Sequence, residues 1–455
     1  MKHQFFTIAA CFIGVFLMTH PVSADFQVGT AVRDITPQQD LVQWGYSSRT
    51  GPATGTLDPL NARAAVFKTG GDTFGLVQLD LGRVPLKDML DRIRDRARTV
   101  GVDDIFFTAS HTHQAPPVDI DGDAKYLARI EDLIGDAVVE AANNLQEARI
   151  GVGRTEIDIA HNRRLILEDG SCMMVWRNVE KKNIGPVDKE AGVIKITDTQ
   201  GKPIAVFVNY ACHPVVLGPD HYQYSADFVG EMSRLIKDDT GAECFFLNGG
   251  CGDINPYMDK SPIAEGGVDT MRVVGKEIAD GVLSVLNGIE TVSPVDPSLQ
   301  MATHYVEVGT RWDLTKKENQ DTLRSVYGYL FDKYMVDLKP DLAVPITIFL
   351  MNNNLALVGM PGELFVEYQL ELKSQSSLKD TFMVGYTNEF HIYFPTIKAC
   401  SEGGYGANVN TYVGVGAGDK MVAKAVEEIG LMTGKIHPVA QVSDFILKEN
   451  VPTPQ

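Results

Sequence analysis

Two histidines separated by a single residue are the first feature of this sequence that could do chemistry. His111 and His113 stand in DIFFTASHTHQAPP, where an apolar, β-favouring run gives way to a polar loop. In an extended chain, residues i and i+2 point to the same side, so both imidazoles would face one point. That point lies at the end of a predicted strand, and a metal ion or a reacting group would fit there. Surface histidines on a polar turn are the simpler interpretation of such a pair.

Four other predicted strands are also followed by polar, metal-capable or titratable residues. After AVFVNYAC comes His213, after CFFLNGG come Asp253 and Asn255, after LALVGMP comes Glu363, and after MVGYTNEF come His391 and Tyr393. Ligands of layered α/β folds gather beyond the carboxyl ends of the strands. Two imidazoles and a carboxylate form a common catalytic zinc set, and zinc favours hydrolysis of an amide or ester. The spacing leaves open which of His111 and His113 binds the metal; the other would be a donor or proton relay.

Alternating strands and helices along the chain predict the elements that position these residues. The segment 64–82 predicts a hairpin with its turn at Gly70 and Gly71, and helices are expected near 86–99, 125–145, 267–287 and 417–434. A further helix would be capped by Ser225, and another would begin at PGELFVEYQLELK, which contains Glu363. The pattern predicts an α/β fold of the layered α+β kind, with one large domain and the metal site at the carboxyl ends of the strands.

The N-terminus and the charge restrict the class of protein. Lys2, a short apolar run and small residues at 23–24 predict a signal peptide over 1–24, and hence a secreted or periplasmic protein without a transmembrane anchor. The formal net charge of −18 argues against nucleic acid as a partner, because there is no basic excess to bind phosphates. Five cysteines follow residue 24, an odd number that argues against a disulfide scaffold. We expect a catalytic domain over 25–436 and a tail over 437–455.

A series of motifs, in order along the chain, resembles the N-terminal catalytic domain of the neutral/alkaline ceramidase family. The motifs are VGTAVRDITP, GYSSRTGPATGTLDPLNARAAVF, SHTHQAPP, HNRRL, NYACHP, YSADFVGEM, GGCGDINP, GMPGELF and NEFHIYFPT. Together they cover roughly residues 26–434. The resemblance implies that Zn²⁺ is the cofactor and that the substrate is a small amphiphilic N-acyl compound, with ceramide among the candidates.

The resemblance also implies a role for seven residues. The zinc ligands would be His111, His213, Glu363 and Tyr393, and the residues around the reacting water and the substrate carbonyl would be His113, Arg163 and Tyr405. The implied function is that of a secreted, zinc-dependent, ceramidase-like hydrolase of linear N-acyl amides that uses a metal-activated water.

Two departures from the family pattern affect this expectation. Asn255 stands where the family has a serine, which excludes a serine-based acyl-enzyme at that position and puts ceramide specificity in question. The chain also stops before the family's C-terminal β-sandwich domain, so no such domain is expected. The alternatives are a zinc esterase or phosphoesterase, and a catalytically inactive relative that binds lipid or carbohydrate. The zinc content of the purified protein separates the inactive relative from the enzymes.

Overall fold

The computed structural model describes residues 25–437, except for residues 120, 329, 330, 333, 334, 337 and 409. The predicted signal peptide lies outside the described residues, as does the predicted tail from residue 438 onward. In the described part of the chain, no helix is both long and apolar enough to cross a membrane.

The larger of two main sheets contains eight strands. They are β1 (Gln27–Asp34), β2 (Asn61–Thr69), β3 (Asp72–Leu79), β4 (Asp104–Ala109), β5 (Gln146–Glu156), β9 (Glu190–Asp198), β10 (Pro203–Tyr210) and β11 (Glu243–Asn248). Their order across the sheet is β11-β10-β9-β5-β1-β2-β3-β4. The β3–β4 and β10–β11 pairs are parallel and the other pairs are antiparallel.

A second sheet of four strands and three short ribbons complete the β-structure. The sheet has the order β13 (Leu299–Glu307), β14 (Ala343–Met351), β15 (Leu355–Gly359), β17 (Asp380–Val384). The ribbons pair β6 (Ala160–Asn162) with β12 (Ile254–Pro256), β7 (Arg164–Ile166) with β8 (Cys172–Met174), and β16 (Glu363–Leu364) with β18 (Tyr393–Phe394).

Helices cover the outer faces of the two sheets and give the molecule four layers. Against the larger sheet lie α1 (Lys87–Arg98), α2 (Ala124–Asn143), α3 (Phe228–Thr240) and α4 (Gly267–Leu286), and against the smaller sheet lie α6 (Val366–Gln375) and α8 (Ala417–Met432). Two further helices are α5 (Lys317–Tyr327) and α7 (Ile397–Glu402), and a 3₁₀ turn spans Ile263–Glu265.

Strands β4 and β11 are apolar on both faces because both faces are covered. Phe106 and Phe245 point between the two sheets, where they pack with residues such as Phe349 and Phe382. Their neighbours Phe107 and Phe246 point the other way, into the core beneath α1–α4. Since successive strand residues face opposite sides, such uninterrupted apolar runs mark strands that are buried twice.

The two edge strands of the larger sheet meet at their carboxyl ends, although they lie at opposite ends of its strand order. The Asn248 side-chain amide, at the end of β11, donates to the Ser110 carbonyl just after β4 at 2.9 Å. The end of β17 joins them, since Gly385 donates to Asn248 O at 2.8 Å and its carbonyl accepts from Thr108 at 2.9 Å. Three strand ends therefore converge on one place.

The predicted layered α/β fold is confirmed, with the hairpin turn between Thr69 and Asp72 and the expected helices at α1, α2, α4 and α8. Two local predictions are wrong. Helix α3 is capped by Asp227, whose carboxylate accepts from Phe228 N, whereas the Ser225 hydroxyl accepts from Asp227 N. Glu363 does not begin a helix: it lies in β16, because parallel pairing with β18 keeps the chain extended until α6 begins at Val366.

Candidate active site

His111 follows β4 in a left-handed backbone conformation, with φ of 74°. This region is unfavourable for a residue with a Cβ, and such strain concentrates at functional sites. Its Nδ1 lies 2.6 Å from Gly82 O, and a carbonyl oxygen can only accept, so the ring proton sits on Nδ1. The Tyr386 ring stacks on the imidazole at 4.1 Å and 15°. The ring is fixed with its bare Nε2 directed away from Gly82.

His213 follows β10 and is held in the same way. Its Nδ1 lies 3.2 Å from Ile254 O, in the ribbon strand β12, which leaves Nε2 as an acceptor. That Nε2 lies 3.1 Å from Glu363 Oε2. Burial lowers the pKa of His213 to about 4, so the ring is neutral near pH 7. The rings of His111 and His213 are 4.8 Å apart, at the point where the strand ends converge.

Glu363 approaches the two histidines from the side of the four-stranded sheet. Its backbone packs against the loop after β11, where Gly252 N donates to Leu364 O at 2.8 Å. A Cβ on Gly252 would lie 2.4 Å from Glu363 O, so this close approach requires glycine. Burial by itself would raise the pKa of Glu363, but His111 and His213 hold that pKa well below its ordinary value. The carboxyl is therefore a buried anion.

These three side chains, His111, His213 and Glu363, form what we call the donor cluster. The Glu363 carboxylate lies 3.6 Å from His111 Nε2 and 3.1 Å from His213 Nε2, and none of the three side chains is more than 5% exposed. With the ring protons on Nδ1, both Nε2 atoms and the carboxylate present lone pairs to one another, which is unfavourable unless a proton or a metal ion lies between them. Two neutral imidazoles and a carboxylate fit a divalent metal such as Zn²⁺.

His113 lies beside the donor cluster but is held differently. One ring nitrogen of each of His111, His113 and His213 lies within 4.8 Å of the others, so three imidazoles could also hold a metal. However, among the described residues the buried Nδ1 of His113 has no hydrogen-bond partner, unlike the Nδ1 of the other two. Its Nε2 lies 3.4 Å from His111 Nε2, and that contact needs a proton on His113 because His111 Nε2 is bare. His113 thus directs an N–H at the cluster.

Aromatic side chains enclose this histidine pair. Trp44 packs edge-on against the rings of His111 and His113 at 5.3 Å and 5.1 Å, and Tyr46 packs against His113 at 4.8 Å. Phe390 closes the other side of Trp44 at 6.2 Å. Burial, followed by the proximity of His111, lowers the pKa of His113 well below its ordinary value, so the ring is neutral. This side of the site is mainly aromatic, with the Arg49 guanidinium 5.0 Å from the Tyr46 ring and the Arg83 guanidinium 4.7 Å from the Phe390 ring.

Tyr393 connects the donor cluster to the remaining predicted residues. It pairs with Glu363 across the β16–β18 ribbon, and its hydroxyl lies near that carboxylate. Arg163 Nη2 donates to the Tyr393 hydroxyl at 3.1 Å. Burial, and then the Glu363 charge, raise the pKa of Tyr393 well above its ordinary value. The phenol is adjacent to the cluster, as a fourth ligand would be.

Opposite the mainly aromatic side stands a group that we call the aromatic–cation wall: Arg163, Trp176, Lys260 and Tyr405. The Arg163 guanidinium lies 5.1 Å from the Trp176 ring and 5.3 Å from the Tyr405 ring, and the Lys260 ammonium lies 4.4 Å from the Trp176 ring. Arg163 is 3% exposed, whereas Tyr405 is 43% exposed. The wall therefore runs from the buried centre to the surface.

Asn255, the departure from the family pattern, is part of the support of Arg163. Its Oδ1 accepts from Arg163 Nη1 at 3.1 Å, while its Nδ2 donates to Asp259 Oδ2 at 2.7 Å. Asp253 braces the neighbouring loop, because its carboxylate accepts from Val366 N at 2.8 Å and from the Asn162 side chain at 2.6 Å. Neither residue lies in the donor cluster.

The structure brings all seven predicted site residues into one connected group, and it places His391 outside that group, between Glu389 and Tyr412. The sequence analysis missed the residues that enclose the site. These are Trp44, Tyr46, Trp176, Lys260, Tyr386 and Phe390. The tryptophans could have indicated part of this enclosure from the sequence, because the chain has three tryptophans and two of them line the site.

No protein-family model matches the chain. Among solved structures, the neutral ceramidase from Pseudomonas aeruginosa superposes with a TM-score of 0.74 at 19% identity, covering 92% of this chain and 76% of that one. A ceramidase complexed with C2 superposes with a TM-score of 0.72 at 17% identity, covering 92% of this chain and 77% of that one. The chain therefore has the neutral ceramidase fold.

Proposed function

We propose that this protein is a metal-dependent hydrolase of N-acyl amides, similar in activity to the ceramidases whose fold it has. The observation that carries the proposal is the donor cluster. Two neutral imidazoles, each fixed by a carbonyl at Nδ1, and one buried carboxylate present only acceptors to a shared point. That combination is the donor set of a catalytic zinc site.

In this proposal the ligands are His111, His213, Glu363 and Tyr393, and the metal is Zn²⁺. The Nδ1 contacts support assigning His111 and His213, and not His113, as ligands, because ligating histidines usually donate the other ring N–H to a carbonyl or carboxylate. Zinc bound there would polarise the amide carbonyl and lower the pKa of a water molecule.

His113, Arg163 and Tyr405 would transfer a proton and stabilise the negative charge that develops on the substrate carbonyl oxygen. The proton on His113 Nε2 points toward the donor cluster, so this ring can pass a proton to the departing amine nitrogen. Arg163 and Tyr405 would donate hydrogen bonds to the oxygen of the scissile carbonyl as it gains negative charge. Trp44 and Phe390 keep water from the other side of the histidine pair and offer an apolar surface to the acyl chain.

The reaction breaks the amide C–N bond and joins the water oxygen to the acyl carbon. A proton moves to the nitrogen, so the products are a fatty acid and an amine. An amphiphilic N-acyl substrate suits a site with one mainly aromatic and one polar side. We also propose export of the protein, on the basis of the signal-like residues 1–24.

The test is release of fatty acid from a short-chain ceramide by the purified chain, with and without a zinc chelator, alongside the metal content of the protein. Chelator-sensitive release with about one zinc per chain is the expected result. Zinc-free protein without activity would instead indicate an inactive relative. Zinc-loaded protein that leaves the amide intact but cleaves an ester or a phosphoester would replace the proposed reaction.

A further inference from the structure

Lys260 brings a second positive charge to the aromatic–cation wall. It follows the ribbon strand β12, and its backbone N–H donates to Val215 O at 2.8 Å, two residues after His213. This anchors it next to the donor cluster. Its ammonium lies over the Trp176 ring, as does the guanidinium of Arg163. The two cations therefore share one aromatic surface.

The position of Lys260 is costly for the fold. Its φ is 49°, in the left-handed region that glycine or asparagine adopts more readily. A lysine retained in such a conformation beside a reactive site suggests a functional reason for its side chain. The side chain is 33% exposed, so the ammonium is accessible from solvent.

One buried carboxylate serves both cations. Asp259 Oδ2 accepts from Lys260 Nζ at 2.6 Å and from Asn255 Nδ2 at 2.7 Å, and Asn255 in turn accepts from Arg163. Lys260 forms an ion pair with Asp259, and among the described residues Arg163 forms no ion pair, so with Glu363 bound to the proposed zinc the wall carries more positive than negative charge.

We propose that Lys260 selects substrates that carry a negative charge beside the scissile amide, namely N-acyl amino acids with a free carboxylate. This inference rests on the proposed hydrolase function and specifies its substrate class. The acyl chain lies against Trp44 and Phe390, and the carboxylate of the amino-acid part faces Lys260. Hydrolysis breaks the C–N bond, water supplies the oxygen of the fatty acid, and the amino acid leaves with the added proton.

The test compares two substrates that differ in charge. N-octanoylglycine carries a carboxylate, and N-octanoylethanolamine carries a neutral hydroxyl in its place. With zinc-loaded protein we expect kcat/KM to be on the order of tenfold higher for N-octanoylglycine, mainly through KM. Lys260→Met keeps the apolar stem against Trp176 and should remove this preference, because kcat/KM should fall more for N-octanoylglycine than for the ethanolamide. Lys260→Arg keeps the charge and should restore most of it.

Lys260→Met leaves the buried Asp259 without its cation, which destabilises the fold. A second variant therefore tests the same inference independently. Asp259→Asn removes the negative charge and should strengthen the preference for the carboxylate, the opposite of Lys260→Met. Equal turnover of both substrates by the unmodified protein would overturn the proposal. So would an equal loss for both substrates in a folded Lys260→Met variant.

A binding measurement distinguishes failure of this inference from failure of the proposed function. If neither compound is hydrolysed, calorimetric titration of both into the zinc-loaded protein still reports on Lys260. Tighter binding of N-octanoylglycine that is lost in Lys260→Met would retain the anion site and reject the hydrolase. Equal binding of the two compounds would reject the anion site itself.

Discussion

The donor cluster and the aromatic–cation wall lie on either side of one site but are built differently. Each imidazole of the donor cluster is anchored to a backbone carbonyl, and the Glu363 carboxylate is fixed by the β16–β18 ribbon. These side chains can therefore move only if the strands move. The wall instead is held mainly by side chains, and its outer member Tyr405 is 43% exposed. We therefore expect the donor cluster to tolerate no substitution, whereas the residues of the wall can differ between proteins that act on different substrates.

The largest effect is expected for His213→Ala. This change removes one ligand and leaves the buried Glu363 anion with one imidazole fewer, so bound zinc should fall from about one per chain toward zero. Activity should fall by more than the roughly 100-fold that altered outer-shell partners cost. His391→Gln is the matched control, because His391 contacts Glu389 and Tyr412 outside the cluster. A His213→Ala protein that retains its zinc would contradict the assignment.

Arg163→Met should impair the function of the wall without affecting metal binding by the donor cluster. We expect kcat to fall by about 10²- to 10³-fold, the cost of removing a donor to a developing oxyanion, while zinc is retained. Arg163→Lys should not restore activity, because a single ammonium cannot serve Gly252 O, Asn255 and Tyr393 together. Arg177→Met, which removes a surface ion pair, is the control. Loss of zinc in Arg163→Met would show that the two regions are not separable.

Gly252→Ala tests the rigidity of the cluster without altering a donor. The new Cβ would lie 2.4 Å from Glu363 O, so the β16 ribbon must shift and carry the carboxylate with it. Zinc affinity should fall by about 10- to 100-fold, and the free energy of unfolding by about 1–3 kcal/mol. Gly71→Ala is the control, since a Cβ there would meet nothing within 4 Å. Unchanged zinc affinity in a competition titration would show that the ribbon is more adaptable than the structure indicates.

Tyr405→Phe should have the smallest effect. Only the exposed hydroxyl is lost, so we expect about a tenfold decrease in kcat with unchanged thermal stability and zinc content. Tyr305→Phe, at another exposed tyrosine that is 57% accessible, should leave kcat unchanged. If Tyr405→Phe were as damaging as Arg163→Met, the wall would have to be a rigid unit like the cluster.

The sequence predicted the strand ends of the site well, because apolar runs followed by polar turns are local patterns. The runs before His111 and His213 are buried on both faces, and their length and composition reveal that burial directly. Glu363 was assigned to the wrong element, since the helix within PGELFVEYQLELK begins three residues later, at Val366.

Long-range geometry lay beyond the sequence. Nothing local indicates that β4 and β11, at opposite ends of the strand order, meet at their carboxyl ends through Asn248 and Ser110. The carbonyls of Gly82 and Ile254, which set the ring protons of the two histidines, come from segments distant in the chain. The sequence did not indicate a role for Lys260, because that role depends on Trp176 and Asp259 lying beside it.

The sequence by itself determined which residue types stand at the ends of which strands, because strand burial and chain reversal depend on neighbouring residues. Only the tertiary structure decided that those ends converge, that His113 is held differently from His111 and His213, and that the wall carries a surplus of positive charge. Those properties arise from contacts between residues far apart in the chain, such as His111 with Gly82 at 29 positions and His213 with Glu363 at 150, and from burial in a common site. A hydrophobic pattern specifies the layers; the packing of one layer against another specifies the chemistry.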